Sequence, residues 1–100
     1  MAVLFEQIMP EGVDVAFLDA VTAEMGVESD PPKGLLVHVH STDNGRARVV
    51  DVWDSAEDIE AFRVDRLMPA LQKLAEERGV DMSTEPETSM REVAGLVRGR

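Results

Sequence analysis

The sequence predicts an α+β fold with the element order β-α-β-β-α-β. Three observations predict it: a β-hairpin pattern in the middle of the chain, an amphipathic helical pattern on either side of it, and short apolar runs near both ends. One hundred residues make one domain, which we assign to residues 1–100. The element order divides into two β-α-β halves. Together these halves build a four-stranded antiparallel sheet with both helices on one face, which is the ferredoxin-like arrangement.

The first half of the chain predicts one strand and one helix. Residues 2–9 are mostly apolar and are followed by Pro10, which is typical of a short strand. Asp14 is a favourable helix N-cap, and apolar residues follow it at helical spacing. Gly26 suits the left-handed position that ends a helix. We therefore predict a helix between Asp14 and Gly26.

The middle of the chain predicts a β-hairpin. Strand-forming residues fill 34–41 and 46–53. Asn44 and Gly45 lie between them, and this pair suits a tight turn with positive φ. The two segments are therefore expected to pair as neighbouring antiparallel strands.

A second helix is predicted after the hairpin. Ser55 and Asp58 have the spacing of a capping box, with Asp in place of Glu. Pro69 lies within the helical pattern and cannot donate a backbone hydrogen bond, so we expect a break near residues 67–68. A polar loop at 82–89 and a last strand at 90–97 complete the order.

Composition excludes several classes of function. Twenty acidic and ten basic residues give a net charge of -10, which repels nucleic acid and anionic membranes. The one basic cluster is the pair Arg98 and Arg100. The absence of cysteine excludes disulfides, thiol catalysis and cysteine-type zinc sites. Glu6 lies inside the N-terminal apolar run, so we expect no signal peptide. No stretch approaches the roughly 20 apolar residues of a membrane span, and we therefore expect a cytoplasmic location.

Side chains alternate along the two hairpin strands and fall into two sets. One set is apolar and is expected to pack under the helices: Leu35, Val37, Val39, Val50 and Val52. The other set is expected on the helix-free face: Leu36, His38, His40, Val49, Asp51 and Trp53. A bare sheet face needs cover. We expect a second copy to cover it face to face, as a homodimer with a ligand cavity between the two sheets.

The second set predicts a chemical site. His38 beside Asp51 can act as a base, because the carboxylate stabilises the charged ring and orients it. Trp53 can stack on a flat substrate or donate its N–H. Lining residues that bind the ligand are then predicted to be His40, Leu36 and Val49. A structural polar pair and a metal site on the two histidines and Asp51 remain alternatives. We assign no cofactor and no metal.

One segment resembles a known family. Residues 49–62 read VVDVWDSAEDIEAF, in which a Trp ends the third strand, a Ser follows two residues later and an acidic residue precedes an Ala-aromatic pair. This resembles the strand-to-helix signature of the dimeric α+β barrel superfamily, and in particular of the antibiotic-biosynthesis-monooxygenase-like proteins. The resemblance implies a homodimer with a barrel-like cavity and places Trp53 on the family's functional Trp. The helix His of haem-degrading relatives falls at Phe62, and their first-strand Asn falls at best at Gln7.

The resemblance implies oxygenation of a small aromatic or phenolic compound without a cofactor. His38 would remove a phenolic proton, and the electron-rich anion would react with O₂. Two alternatives stay open: an isomerase that uses the same base, and a non-catalytic dimer that binds a small ligand or is purely structural. An enzyme needs a cavity of roughly 300 Å³ or more to which His38 and Trp53 are exposed. A structural dimer predicts a filled interface instead.

Overall fold

A computed structural model of the chain describes residues 2–97 and residue 99. Its elements follow the predicted order: β1 (Val3–Ile8), α1 (Val15–Met25), β2 (Leu35–Asp43), β3 (Arg46–Trp53), α2 (Ala56–Phe62), a π-helical turn (Arg63–Leu67), α3 (Met68–Arg78) and β4 (Glu87–Glu92). The basic pair Arg98 and Arg100 lies outside the described residues.

The strands form a four-stranded antiparallel sheet in the order β2-β3-β1-β4. β1 lies between β3 and β4, and β2 pairs with β3 through the hairpin. Asn44 and Gly45 have φ of 51° and 79°, as their turn sequence predicts. This arrangement confirms the predicted ferredoxin-like α+β fold.

The helices cover one face of the sheet and enclose the main core. The Asp14 side chain accepts a hydrogen bond of 2.9 Å from the Phe17 N–H and begins α1, and Gly26 ends it with φ of 68°. The core residues come from both helices and from the sheet: Met9, Val13, Phe17, Leu18, Val21, Ala47, Val49, Ala70 and Leu74. No helix in residues 2–97 is long and apolar enough to cross a membrane.

The second helix does not break at Pro69. The Ser55 side chain accepts a 3.2 Å hydrogen bond from the Asp58 N–H, as the capping box predicts. The chain then stays helical to the end of α3, but the Met68 N–H donates to the Arg63 carbonyl, five residues back. A proline ring crowds the carbonyl four residues before it. The wider π turn relieves that conflict, and the helix therefore continues where a break was predicted.

The last strand begins earlier than predicted. It spans Glu87–Glu92, with Ile8 opposite Glu87 and Val3 opposite Glu92, and not residues 90–97. The prediction followed the apolar residues that come after position 90. β4 is an edge strand with mostly exposed side chains, so its backbone pairing to β1 needs no apolar pattern.

The structure reverses the two predicted faces of the hairpin. Leu35 pairs with Trp53 and Val37 pairs with Val52, so Leu36 is the extra residue of a β-bulge. The side chains that share the helix-covered face, by register and packing, are Leu35, His38, His40, Val49, Asp51 and Trp53. The open face carries the apolar set: Leu4, Ile8, Val37, Val39, Val50 and Val52.

The prediction assumed that the all-apolar set must lie under the helices. Val37 and Val39 are instead 37% and 49% exposed on the open face. The polar set finds partners on the covered face, where His40 contacts Asp19 of α1 and Trp53 packs in a small cluster with Ile59 of α2. Both faces of this sheet carry apolar side chains, and alternation alone does not tell which one the helices cover.

Candidate functional site

A cavity of about 620 Å³ lies between the sheet and the helices. Its volume falls within the range of roughly 300–1,000 Å³ that is usual for small-molecule sites. Most of its lining is apolar and includes Leu18, Val21, Met25, Val49, Phe62, Leu67, Leu71 and Met82. His38, His40 and Trp53, which we expected on the helix-free face, line this helix-side space instead.

Five side chains form a continuous hydrogen-bonded row at this cavity, which we call the polar row. The Trp53 Nε1–H donates to Asp51 Oδ2 over 3.3 Å, and Asp51 Oδ1 lies 2.6 Å from His38 Nδ1. His38 Nε2 lies 3.2 Å from His40 Nδ1. His40 Nε2 lies 2.6 Å from Asp19 Oδ1. The two imidazoles thus contact each other, and each also contacts one carboxylate.

The polar row runs from the interior to the surface. Trp53 and Asp51 are 1% and 7% exposed, whereas the Asp19 side chain is 62% exposed. The His38 and His40 side chains between them are 31% and 20% exposed. An isolated carboxylate in the place of Asp51 would be costly to bury, and its two donors offset that cost.

The contacts of the polar row define where its protons lie. An ionised carboxylate only accepts hydrogen bonds, so Asp51 and Asp19 place protons on His38 Nδ1 and His40 Nε2. The two inner nitrogens, His38 Nε2 and His40 Nδ1, then need one further proton to form their own hydrogen bond. A hydrogen bond across this gap therefore requires a third ring proton, which would give the two imidazoles one positive charge.

Asp51 also sets the proton affinity of His38. The hydrogen bond to Asp51 raises the pKa of His38 above its ordinary value, and the negative charge of Asp51 adds to this effect. Burial of the ring opposes it and lowers the pKa by a smaller amount. A His with a raised pKa is a stronger base, which suits it to accept a proton.

Both the indole N–H and the ring of Trp53 contact other side chains of the protein. Its N–H donates to Asp51, and its ring packs on Phe62 with centroids 5.2 Å apart and planes tilted by 44°. Although Trp53 lines the cavity, only 1% of the residue is exposed. The geometry therefore favours the donor role over the predicted stacking on a substrate.

Two of the three other predicted ligand-binding residues line the cavity. His40 and Val49 line the cavity, and Leu36 does not, because it is the bulge residue. Sequence reasoning missed Asp19, whose contact with His40 spans 21 residues and leaves no local signal. Gln7 of β1 also lines the cavity, and only the family resemblance points to it in the sequence.

The two histidines and Asp51 do not converge on one point. Each His38 nitrogen faces a different neighbour, Asp51 on one side and His40 on the other. Within residues 2–97 and 99, no group of three or more His, Cys, Asp or Glu side chains is arranged to hold a metal ion. We therefore derive no chemistry through a metal.

Comparison with known proteins identifies the fold. Neither a protein-family model nor a curated protein matches the sequence. The structure is similar to a candidate antibiotic biosynthesis monooxygenase from Chloroflexus aurantiacus, with a TM-score of 0.63, 22% identity and coverage of 99% of this chain and 100% of that one. SnoaB, a cofactor-independent oxygenase from Streptomyces nogalater, gives a TM-score of 0.63 at 12% identity, with 98% and 97% covered.

A third similar structure is the haem degrader MhuD from Mycobacterium tuberculosis, which has two haems bound in its active site. Its TM-score is 0.56 at 22% identity, with 98% of this chain and 100% of that one covered. At these identities the likeness establishes the fold and not the function. The chain has the α+β fold of the antibiotic biosynthesis monooxygenase-like proteins.

Proposed function

We propose that this protein is a cofactor-independent oxygenase that acts on a small aromatic or phenolic compound in the helix-side cavity. The observation that carries the proposal is the 2.6 Å contact of His38 with the buried Asp51 beside a mostly apolar space of about 620 Å³. Apolar walls suit an aromatic ring, and the paired imidazole suits an acidic proton.

In the proposed reaction His38 takes a proton from the substrate through Nε2. Asp51 stabilises the imidazolium that forms, and Trp53 holds the carboxylate in place. The substrate anion is electron-rich and reacts with O₂. Where the reacting carbon is a CH₂ group, one oxygen atom becomes its carbonyl oxygen and the other leaves as water with both hydrogens. The substrate thus supplies every electron that O₂ accepts.

The likeness to SnoaB supports this proposal, because that protein is described as a cofactor-independent oxygenase. The likeness to MhuD suggests haem as another ligand, but the residues present do not fit one. An axial imidazole nitrogen must face the iron, whereas the two ring nitrogens that no carboxylate contacts, His38 Nε2 and His40 Nδ1, face one another over 3.2 Å. Phe62, where haem-degrading relatives carry a His, packs on Trp53. We therefore propose no step through haem.

We further infer that two copies of the chain pair through their open sheet faces. The apolar set on that face includes the exposed Val37 and Val39, and it needs cover. Glu6 lies on the same face and pairs with Arg48, which neutralises a charge that pairing would bury. The helix-side cavity then belongs to each copy separately.

Oxygen uptake tests the catalytic proposal. Wild type and His38→Gln are compared on a panel of anthrones and hydroquinones, with circular dichroism to show that both are folded. We expect the variant to lose about 10²-fold or more in rate, which is the contribution usual for a general base. Equal rates in the two proteins would remove His38 from the mechanism.

Binding separates an enzyme from a carrier. Trp53 is the chain's single tryptophan and lines the cavity, so its fluorescence reports a ligand there. We expect panel compounds that are turned over to quench it. Quenching without oxygen uptake by wild type would favour the non-catalytic ligand-binding alternative over the oxygenase.

A further inference from the structure

The outer half of the polar row is formed by His40 and Asp19, which do not take up the substrate proton when His38 acts alone. His40 is held by α1, because its Nε2 lies 2.6 Å from Asp19 Oδ1. This contact fixes the neutral ring with its proton on Nε2 and leaves Nδ1 bare. The bare nitrogen points at His38, 3.2 Å away, and not at the helix.

Asp51 fixes His38 in the opposite tautomer to that of His40. It fixes the proton on Nδ1 and leaves Nε2 bare, facing His40. When the pair holds two ring protons, two lone pairs therefore face one another across a single gap. That arrangement is unfavourable until a third proton enters the gap and hydrogen-bonds to both rings.

Both imidazoles line the cavity in which the substrate is proposed to bind, and we place the substrate hydroxyl at this gap. The other charged residues of the cavity wall are Arg63, Glu76 and Glu85. A phenol or enol that donates its proton to the gap leaves an anion beside a pair with one positive charge. The neighbouring charge stabilises the anion at the moment it must react.

We propose that His40 is the second half of a two-imidazole proton acceptor, and that Asp19 is the positioning residue that orients it. This inference rests on the proposed function, because it names the acceptor for the same substrate proton. It also narrows the substrate to compounds with a neutral, acidic hydroxyl group.

The variant Asp19→Asn tests the inference, and Glu24→Gln is its matched control. Glu24 is a second carboxylate of α1, but it pairs with Lys73 at 2.6 Å and takes no part in the polar row. Side-chain ¹⁵N NMR at a pH where both rings are neutral reports which ring nitrogen carries the proton, without any substrate. We expect His40 to be protonated at Nε2 in wild type and in Glu24→Gln, and to become a mixture of tautomers in Asp19→Asn.

Turnover gives the second readout. We expect kcat of Asp19→Asn to fall about 10-fold, as a part of what a general base contributes, with KM nearly unchanged. Mixed His40 tautomers in wild type, or an unchanged kcat in Asp19→Asn, would overturn the inference while the loss in His38→Gln still upholds the oxygenase. Absence of turnover by wild type on the whole panel would instead overturn the proposed function and the acceptor with it.

Discussion

Asp51 is the residue on which the site depends. It is 7% exposed, and its two oxygens accept from Trp53 and His38. A buried charge is stable only when donors replace the lost water, so each of the two aromatic residues is fixed by the carboxylate it satisfies. Removing the Trp53 N–H would leave the carboxylate with one donor and would change the proton affinity of His38.

The raised pKa of His38 makes the stability of the protein depend on pH. The folded state binds this proton more tightly than the unfolded chain, whose His titrates at about 6.5. The stabilisation is complete below about pH 6.5 and is lost as pH rises through the raised value. We therefore expect the free energy of unfolding, measured in urea, to fall across that window in wild type and to fall less in His38→Gln.

Other shifted groups titrate outside that window. The pKa values of Glu60 and Asp81 are lowered, by Arg63 and by Ser83, and those of Lys73 and Arg63 are raised by their carboxylate partners. These groups keep one charge state between about pH 6 and 9. A slope of the same size in both proteins would contradict the raised pKa of His38.

At the scale of the elements, the two faces of the hairpin formed by β2 and β3 carry different side chains. The covered face carries the polar row, and the open face carries valines, of which Val37 and Val39 are 37% and 49% exposed. The 11.0 kDa chain is small, and covering this apolar face adds to the limited core that such a chain can build.

The variant Val39→Lys tests whether a second copy covers the open face. Val39 is 49% exposed on an edge strand, so a lysine is tolerated in one copy but charges the surface between two. Sedimentation should give a dimer for wild type and a monomer for Val39→Lys. Val64→Lys, at a 54% exposed position on the π-helical turn, is the control and should stay dimeric. A monomeric wild type would refute the pairing.

The sequence predicts the elements well because their signals are local. The Asp14 and Ser55 caps, the Asn44-Gly45 turn and Gly26 each act within a few residues, and the structure uses all of them. The contact of His38 with Asp51 also follows from a hairpin register. Which face the helices cover is a tertiary choice between two partly apolar faces, and alternation does not encode it.

The Asp19 contact and the π turn could not be predicted for a related reason. Asp19 meets His40 only because α1 packs over the edge strand, and nothing near position 19 in the sequence marks that packing. Pro69 predicts a disturbance of the helix, but a break and a π turn both accommodate a proline. The sequence pattern does not distinguish between the two.

At the scale of the whole molecule, charge and fold constrain the chemistry together. A net charge of -10 repels anions, so a phenolic substrate is expected to arrive neutral and to lose its proton inside the cavity. The fold is shared with proteins described as an oxygenase and as a haem degrader, so the fold leaves the reaction open. The polar row is the feature that supports the proposed proton abstraction.

The most direct test is a crystal structure grown without oxygen in the presence of a hydroxyanthrone. The account predicts the ring between the sheet and the helices, with its hydroxyl oxygen within about 3 Å of His38 Nε2. It also predicts that His38 keeps its contact with Asp51. A ligand held on the open sheet face, or a hydroxyl turned away from both imidazoles in the cavity, would contradict the account.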